Sequence, residues 1–201
     1  MEKRIANFLS YLAHPLIVPL IGLLVISHSG TYAADIDQRF SQFIYLAVFV
    51  LTFIMPVGLI PLFMYSGLAK SIQFTEKKER LIPLYITLVF YLAAYYLIKK
   101  LPVSQIYHRF LFSASLSVLF VLAITYFWKI SAHLVAWGGL VGMIFSLSLR
   151  FETDLMLFLI ISILCSGCIG YARLRLNAHS PGQVYAGFFL GFLTMLTVFL
   201  I

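Results

Sequence analysis

The stretch AHLVAWGGLVGMIFSLSL, residues 132–149, carries no formal charge and has a histidine at its second position. Crossing a bilayer takes roughly 20 mostly apolar residues, so this segment reads as a membrane helix with a polar group at its mouth. The rest of the chain repeats that reading. Of 201 residues, 62% are hydrophobic and 10% charged, and the mean hydropathy is +1.01. One soluble core cannot hide that much apolar surface. Seven candidate spans follow, at about 10–28, 41–66, 81–98, 109–128, 132–149, 154–171 and 182–201. Pro56 and Pro61 predict a kink or tilt in the second. Pro15 and Pro19 predict that the first is broken or re-entrant. The expectation is an all-α polytopic transmembrane bundle of six to seven spans, a single domain over residues 1–201. The opening Met1 to Arg4 and the apolar run behind it read as a retained helix, because no small-residue cleavage site follows at the right distance.

The net charge is +7, yet nucleic acid is not the expected partner. The basic residues are scattered at span ends, where they anchor to headgroups. They form no stripe interleaved with exposed aromatics. Cys165 and Cys168 make a Cys-Ser-Gly-Cys run inside a span, and redox chemistry needs thiolates with solvent access. Helix packing explains that run better, as it explains Gly138, Gly139, Gly142 and the pair Gly187 and Gly191. Such faces serve either packing within the chain or a homodimer. Trp128 and Trp137 fit interface and packing roles.

With seven spans, alternate connections share a membrane face. The N-terminus, 67–80, 129–131 and 172–181 then lie together. That face holds nine Lys and Arg residues and the other holds five. Six of the nine (Lys77, Lys78, Arg80, Lys129, Arg173 and Arg175) are site candidates, and without them the count is three against five. The positive-inside rule therefore assigns no orientation.

On this shared face stand Lys129-Ile-Ser-Ala-His133 and Ala172-Arg-Leu-Arg-Leu-Asn-Ala-His179-Ser-Pro-Gly-Gln183. Ser131 can cap the helix behind it, placing His133 in the first turn. Ser180 at N-cap, Pro181 at N1 and Gln183 at N3 form a capping-box pattern. Two helix N-termini, Arg173 and a basic loop make an anion site, and Arg is the natural bidentate partner of phosphate oxygens. Two imidazoles beside a phosphate suggest one nucleophile and one general acid, with the cations stabilising the transition state. No metal or other cofactor is expected, because two histidines without carboxylates make a poor zinc site. His14, His28 and His108 lie near span ends without a companion and are assigned no role.

These residues resemble the type 2 phosphatidic acid phosphatase superfamily of integral-membrane lipid phosphatases. Its signatures are Lys-x6-Arg-Pro, Pro-Ser-Gly-His and Ser-Arg-x5-His-x3-Asp. The second reads here as Ile130-Ser131-Ala132-His133. The third reads as Ala172-Arg173, five residues, His179, three residues, Gln183. The resemblance covers about residues 70–190 and implies a helical bundle of six spans, one fewer than counted here. It implies that His179 accepts the phosphoryl group, His133 acts as general acid and Arg173 grips the phosphate. The first signature is degraded: Lys77-Lys-Glu-Arg80-Leu-Ile-Pro83 holds a Lys, an Arg and a Pro at other spacings, so either Lys77 or Arg80 substitutes as phosphate ligand. The third ends in Gln183, which can orient the imidazole but cannot supply the charge of the family's Asp. In the serine-protease dyad Asp to Asn costs about ten-thousand-fold, partly through the wrong tautomer. Glu76 and Glu79 share the face, where ion pairing with Lys77, Lys78 or Arg80 is their ordinary role.

The expectation is a metal-independent phosphatase acting on a lipid phosphate or diphosphate through a phosphohistidine, in a bacterial inner membrane. The alternative is a lipid-phosphate binder or transporter that has lost hydrolysis, motivated by Gln183. A channel is disfavoured, since no intramembrane charge chain or pair of interrupted inverted helices stands out.

Overall fold

The computed structural model describes residues 2–31, 36–65 and 77–201, with the side chains of residues 38, 63 and 77–79 left undescribed. Every regular element among them is helical. Seven helical segments are long and apolar enough to span a bilayer, so the chain is an integral membrane protein with an all-α polytopic bundle.

The first span runs from Glu2 to Ser27 and is broken, as its prolines predict. Helix α1 (Glu2–Leu12) gives way to a 3-10 turn at Pro15–Ile17 and then to α2 (Val18–Ser27). The helix begins earlier than its apolar run because α1 packs on the end of α9 (Met156–Arg175) through Ala6 and Ser10. Glu2 pairs there with Arg175. At the far end Ser27 Oγ lies 3.2 Å from the Tyr107 hydroxyl.

The second span comprises α3 (Gln38–Phe49), a π-helical turn at Val50–Ile54, α4 (Met55–Gly58) and α5 (Ile60–Tyr65). Pro56 has no N–H to give, and the ladder slips just before it: Met55 N–H reaches back five residues to Val50 O. The remaining spans are α6 (Lys77–Lys99), α7 (Gln105–Thr125), α8 (Ala132–Phe151), α9 and α10 (Pro181–Leu200).

Helix α8 is the axis of the bundle. Its apolar window is 67% buried, against 17% for α6 at the periphery. Its closest partner is α10, and the glycines decide that. A Cβ on Gly138 would fall 2.1 Å from Phe188 O, and one on Gly191 would fall 1.9 Å from Val135 O. Only glycine lets the two backbones approach so closely, as membrane packing favours. The small-residue faces of α8 and α10 are thus consumed inside the chain, whereas the Cys-Ser-Gly-Cys run, expected to pack likewise, leaves Gly167 facing open space and Cys168 exposed. On the face opposite the histidines, Arg109 and Arg150 both donate to Phe199 O, at 3.2 and 2.6 Å. They satisfy a carbonyl at the end of α10, where a cation also suits the helix dipole. Cys165 and Cys168 are free thiols on α9, half-buried and exposed.

Candidate functional site

The turn between α9 and α10 explains the spacing of Arg173 and His179. Asn177 takes a left-handed conformation, φ 52°, which Asn tolerates better than most residues. Asn177 N–H donates to Leu174 O at 2.9 Å and Ala178 N–H to Arg173 O at 3.1 Å. This pair of bonds is a Schellman turn. It reverses the chain within one turn and brings His179 back toward the Arg173 side chain.

Behind the turn, Ser180, Pro181 and Gln183 take the positions expected of them at the start of α10. The Ser180 N–H donates to Gln183 Oε1 at 3.2 Å. That bond fixes which end of the amide faces His179, because an N–H cannot donate to an NH2. His179 Nδ1 lies 3.1 Å from the same Oε1 and 3.3 Å from Lys129 O. Both partners are acceptors, so Nδ1 carries the hydrogen and Nε2 keeps its lone pair. Gln183 therefore caps the helix and orients the imidazole with one oxygen. The 126–131 connection closes against the same turn, with Ser131 N–H donating to Gln183 O at 3.3 Å.

His179 is 6% exposed and lies near Arg80, Arg173 and Lys129. Burial and those three cations push its pKa down to about 3, against the smaller opposing effect of the Gln183 bond. The ring is neutral at physiological pH. Lys129 is lowered too, by burial first and then by Arg80 and Arg173. Both guanidinium groups lie close enough to affect each other. Among the described residues no carboxylate faces them; the ion pair found there joins Glu2 to Arg175, which makes Arg175 an anchor.

His133 meets the broken first span. With Pro15 and the 3-10 turn, helix α1 cannot claim all its carbonyls. His133 Nε2 lies 3.2 Å from Ser10 O, and Trp137 Nε1–H donates to Ala13 O at 3.1 Å. In hydrocarbon such carbonyls must find partners, and α8 supplies them. His133 thus carries its hydrogen on Nε2 when neutral and leaves Nδ1 free to exchange a proton. Arg173 donates to Ser10 Oγ at 3.4 Å.

The same break carries a residue that the sequence reading passed over. His14 stands edge-on to His133, with ring centroids 5.7 Å apart, so it does have a companion. Its signal was the His14-Pro15 pair inside an otherwise apolar span. Among the described residues, His28 and His108 reach helix-end carbonyls, Leu24 O and Ile98 O. Ser131 sits at the N-cap of α8 but makes no side-chain cap bond. It is fully buried, and its Oγ joins Arg173 Nε and His179 Nε2 as buried polar atoms without a hydrogen-bond partner. The Lys77 side chain lies outside the described residues, as do Glu76 and the Glu79 side chain.

A cavity of about 530 Å³ opens beside this cluster. Its polar end is formed by Ser10, His14, Arg80, Lys129, His133, Arg173 and Asn177. Its other walls are mostly apolar, with Thr87, Ser117 and Thr125 among them. His179, Gln183 and Ser131 stand outside the lining, beside Asn177 and Ala178 that belong to it. Among the described residues no group of three metal-ligating side chains forms. The arrangement offers concentrated positive charge, a neutral imidazole with a free lone pair and a second imidazole with a free nitrogen. Comparison with protein-family models, curated proteins and solved structures finds no match to this chain.

Proposed function

We propose that the protein is a metal-independent phosphatase acting on a lipid phosphate or diphosphate through a phosphohistidine intermediate. The observation that carries this reading is the state of His179. Its Nδ1–H is held by Gln183 and Lys129 O, its Nε2 lone pair is free, and three cations with no facing carboxylate among the described residues lie around it. That is the tautomer a nitrogen nucleophile needs, in a field that attracts phosphate.

The steps balance on these groups. The His179 Nε2 lone pair attacks the terminal phosphorus as its bond to the leaving oxygen breaks, the lipid oxygen of a phosphate or the bridging oxygen of a diphosphate. That oxygen takes a proton from Nδ1 of His133, whose charged form is favoured only once the anionic phosphate is bound beside it. Arg173, Arg80 and Lys129 offset charge on the phosphoryl oxygens. Water then attacks the phosphohistidine and gives its proton to His133 Nδ1. Inorganic phosphate leaves and His179 is neutral again. Ser131 Oγ, buried outside the cavity lining, takes no part in these steps.

The resemblance to the type 2 phosphatidic acid phosphatases supports this assignment of roles, with Gln183 in the orienting position. Gln183 keeps the tautomer but leaves the developing positive charge on His179 uncompensated. That favours, as second reading, a lipid-phosphate binder that does not hydrolyse. A bacterial inner membrane suits either reading.

The test is phosphate release by the detergent-purified protein from lipid phosphates and diphosphates in excess chelator, with His179→Ala alongside. Release that survives chelation and vanishes in His179→Ala supports the phosphatase. Binding of the same lipids without release, restored to hydrolysis by Gln183→Asp, would leave the binder.

A further inference from the structure

The cavity continues far past the cationic end. Along α7 it is lined by Phe110, Ala114, Ser117, Val118, Val121 and Thr125. These residues fall on one face at helical spacing. From Thr125 to Phe110 the helix rises about 22 Å at 1.5 Å per residue, most of a hydrocarbon core about 30 Å thick. Tyr91 of α6 and Met195 of α10 close the deep part from other sides. The break in the first span keeps the upper part open, since His14 and Pro15 stand on its wall. The result is a half-open slot, charged at one end and mostly apolar along its length, with Thr87 and Ser117 on its walls.

We infer that this slot holds the hydrocarbon tail of the phosphate-bearing ligand, drawn into the protein while the phosphate sits at the cationic end. The inference rests on the phosphate reading of that end. Charge complementarity sets the orientation, with the anionic group against Arg80, Lys129 and Arg173 and the chain running down α7. A saturated chain advances about 1.25 Å per carbon, from bonds of about 1.5 Å and near-tetrahedral angles. The slot therefore accommodates about 16–18 carbons in extended form. Chains up to that length gain affinity with each carbon, and longer ones stop gaining.

The experiment is photolabelling of the full chain in nanodiscs with a hexadecylphosphonate that carries a terminal diazirine, followed by peptide mapping. The probe cannot be hydrolysed, so labelling does not depend on turnover. Label on Phe110, Ala114 or Tyr91, lost with excess unlabelled hexadecylphosphonate and in Arg173→Ala, is the expected result. Label on Phe112, Leu119 or Phe120, which face outward on the same helix, would place the tail in the bilayer and overturn the inference. Labelling that competitor does not reduce would overturn it as well. Competition by unbranched and isoprenoid phosphonates of equal length supports the slot, and the stronger competitor names the tail chemistry. Inward label without phosphate release from hydrolysable lipids would keep the slot and remove the phosphatase; release with outward label would do the reverse.

Discussion

At the scale of single residues, the substitution that matters most is the amide at position 183. An amide has two faces of opposite character, and the wrong one would select the wrong imidazole tautomer. Here the Ser180 N–H decides the face, so orientation survives and only the charge is missing. Gln183→Asp is expected to raise turnover on the order of 10–100-fold, well short of the ten-thousand-fold swing of the serine-protease dyad, because the tautomer is already held. Gln183→Leu should abolish phosphate release while the protein still folds. The His179 pKa of about 3 against about 6.5 in an unfolded chain also sets a pH response. The unfolded state binds a proton that the folded site refuses, so acid favours unfolding. This stability is fully present above pH 6.5 and is lost as pH falls from there towards 3. Thermal unfolding in detergent from pH 7.5 to 4 should show that slope, and His179→Gln should make it shallower. Arg173 with His179 was legible from their spacing. His14 was not, because its partner is 119 positions away in sequence and meets it only across the helix break.

At the scale of elements, backbone positions without side chains and carbonyls without helical partners carry the architecture. Gly191 lies so close to α8 that a side chain there meets Val135 O at once. Gly191→Val is expected to lower stability by about 1–3 kcal/mol or more through overpacking, seen as a fall in the detergent melting temperature. Gly167→Ala, on a helix face with open space, should leave that temperature unchanged. The glycine pattern announced close packing in the sequence, but not whether its partner was another copy. Helix α10 supplies the partner because its Gly187 and Gly191 lie against the α8 backbone at Ser131 and Val135. The prolines likewise announced a break in the first span. What the freed carbonyls do with their hydrogen-bonding capacity was settled by where His133 and Trp137 happen to sit.

At the scale of the whole molecule, charge is the organising feature. A cluster of cations partly withdrawn from water is costly unless something offsets it. An anion bound there stabilises the folded state by mass action. Inorganic phosphate at tens of millimolar is expected to raise the melting temperature by several degrees, whereas chloride at equal ionic strength should not, and Arg173→Ala should remove the difference. If phosphate and chloride act alike, the cluster does not discriminate an oxyanion.

The class of the protein is legible in its sequence, because hydropathy and span length are local quantities that a bilayer reads directly. So is the sharing of one face by basic residues and two histidines, since alternation of seven spans is simple arithmetic along the chain. Only the tertiary structure decided what those groups can do. The tautomer of His179 depends on a carbonyl 50 positions upstream at Lys129. The free nitrogen of His133 depends on a carbonyl 123 positions away at Ser10. The long slot exists because the broken first span and its neighbours leave one face of α7 uncovered inside the bundle. Hydrogen bonds and cavities of this kind are set by directions and distances between elements far apart in the chain, and no local pattern encodes them.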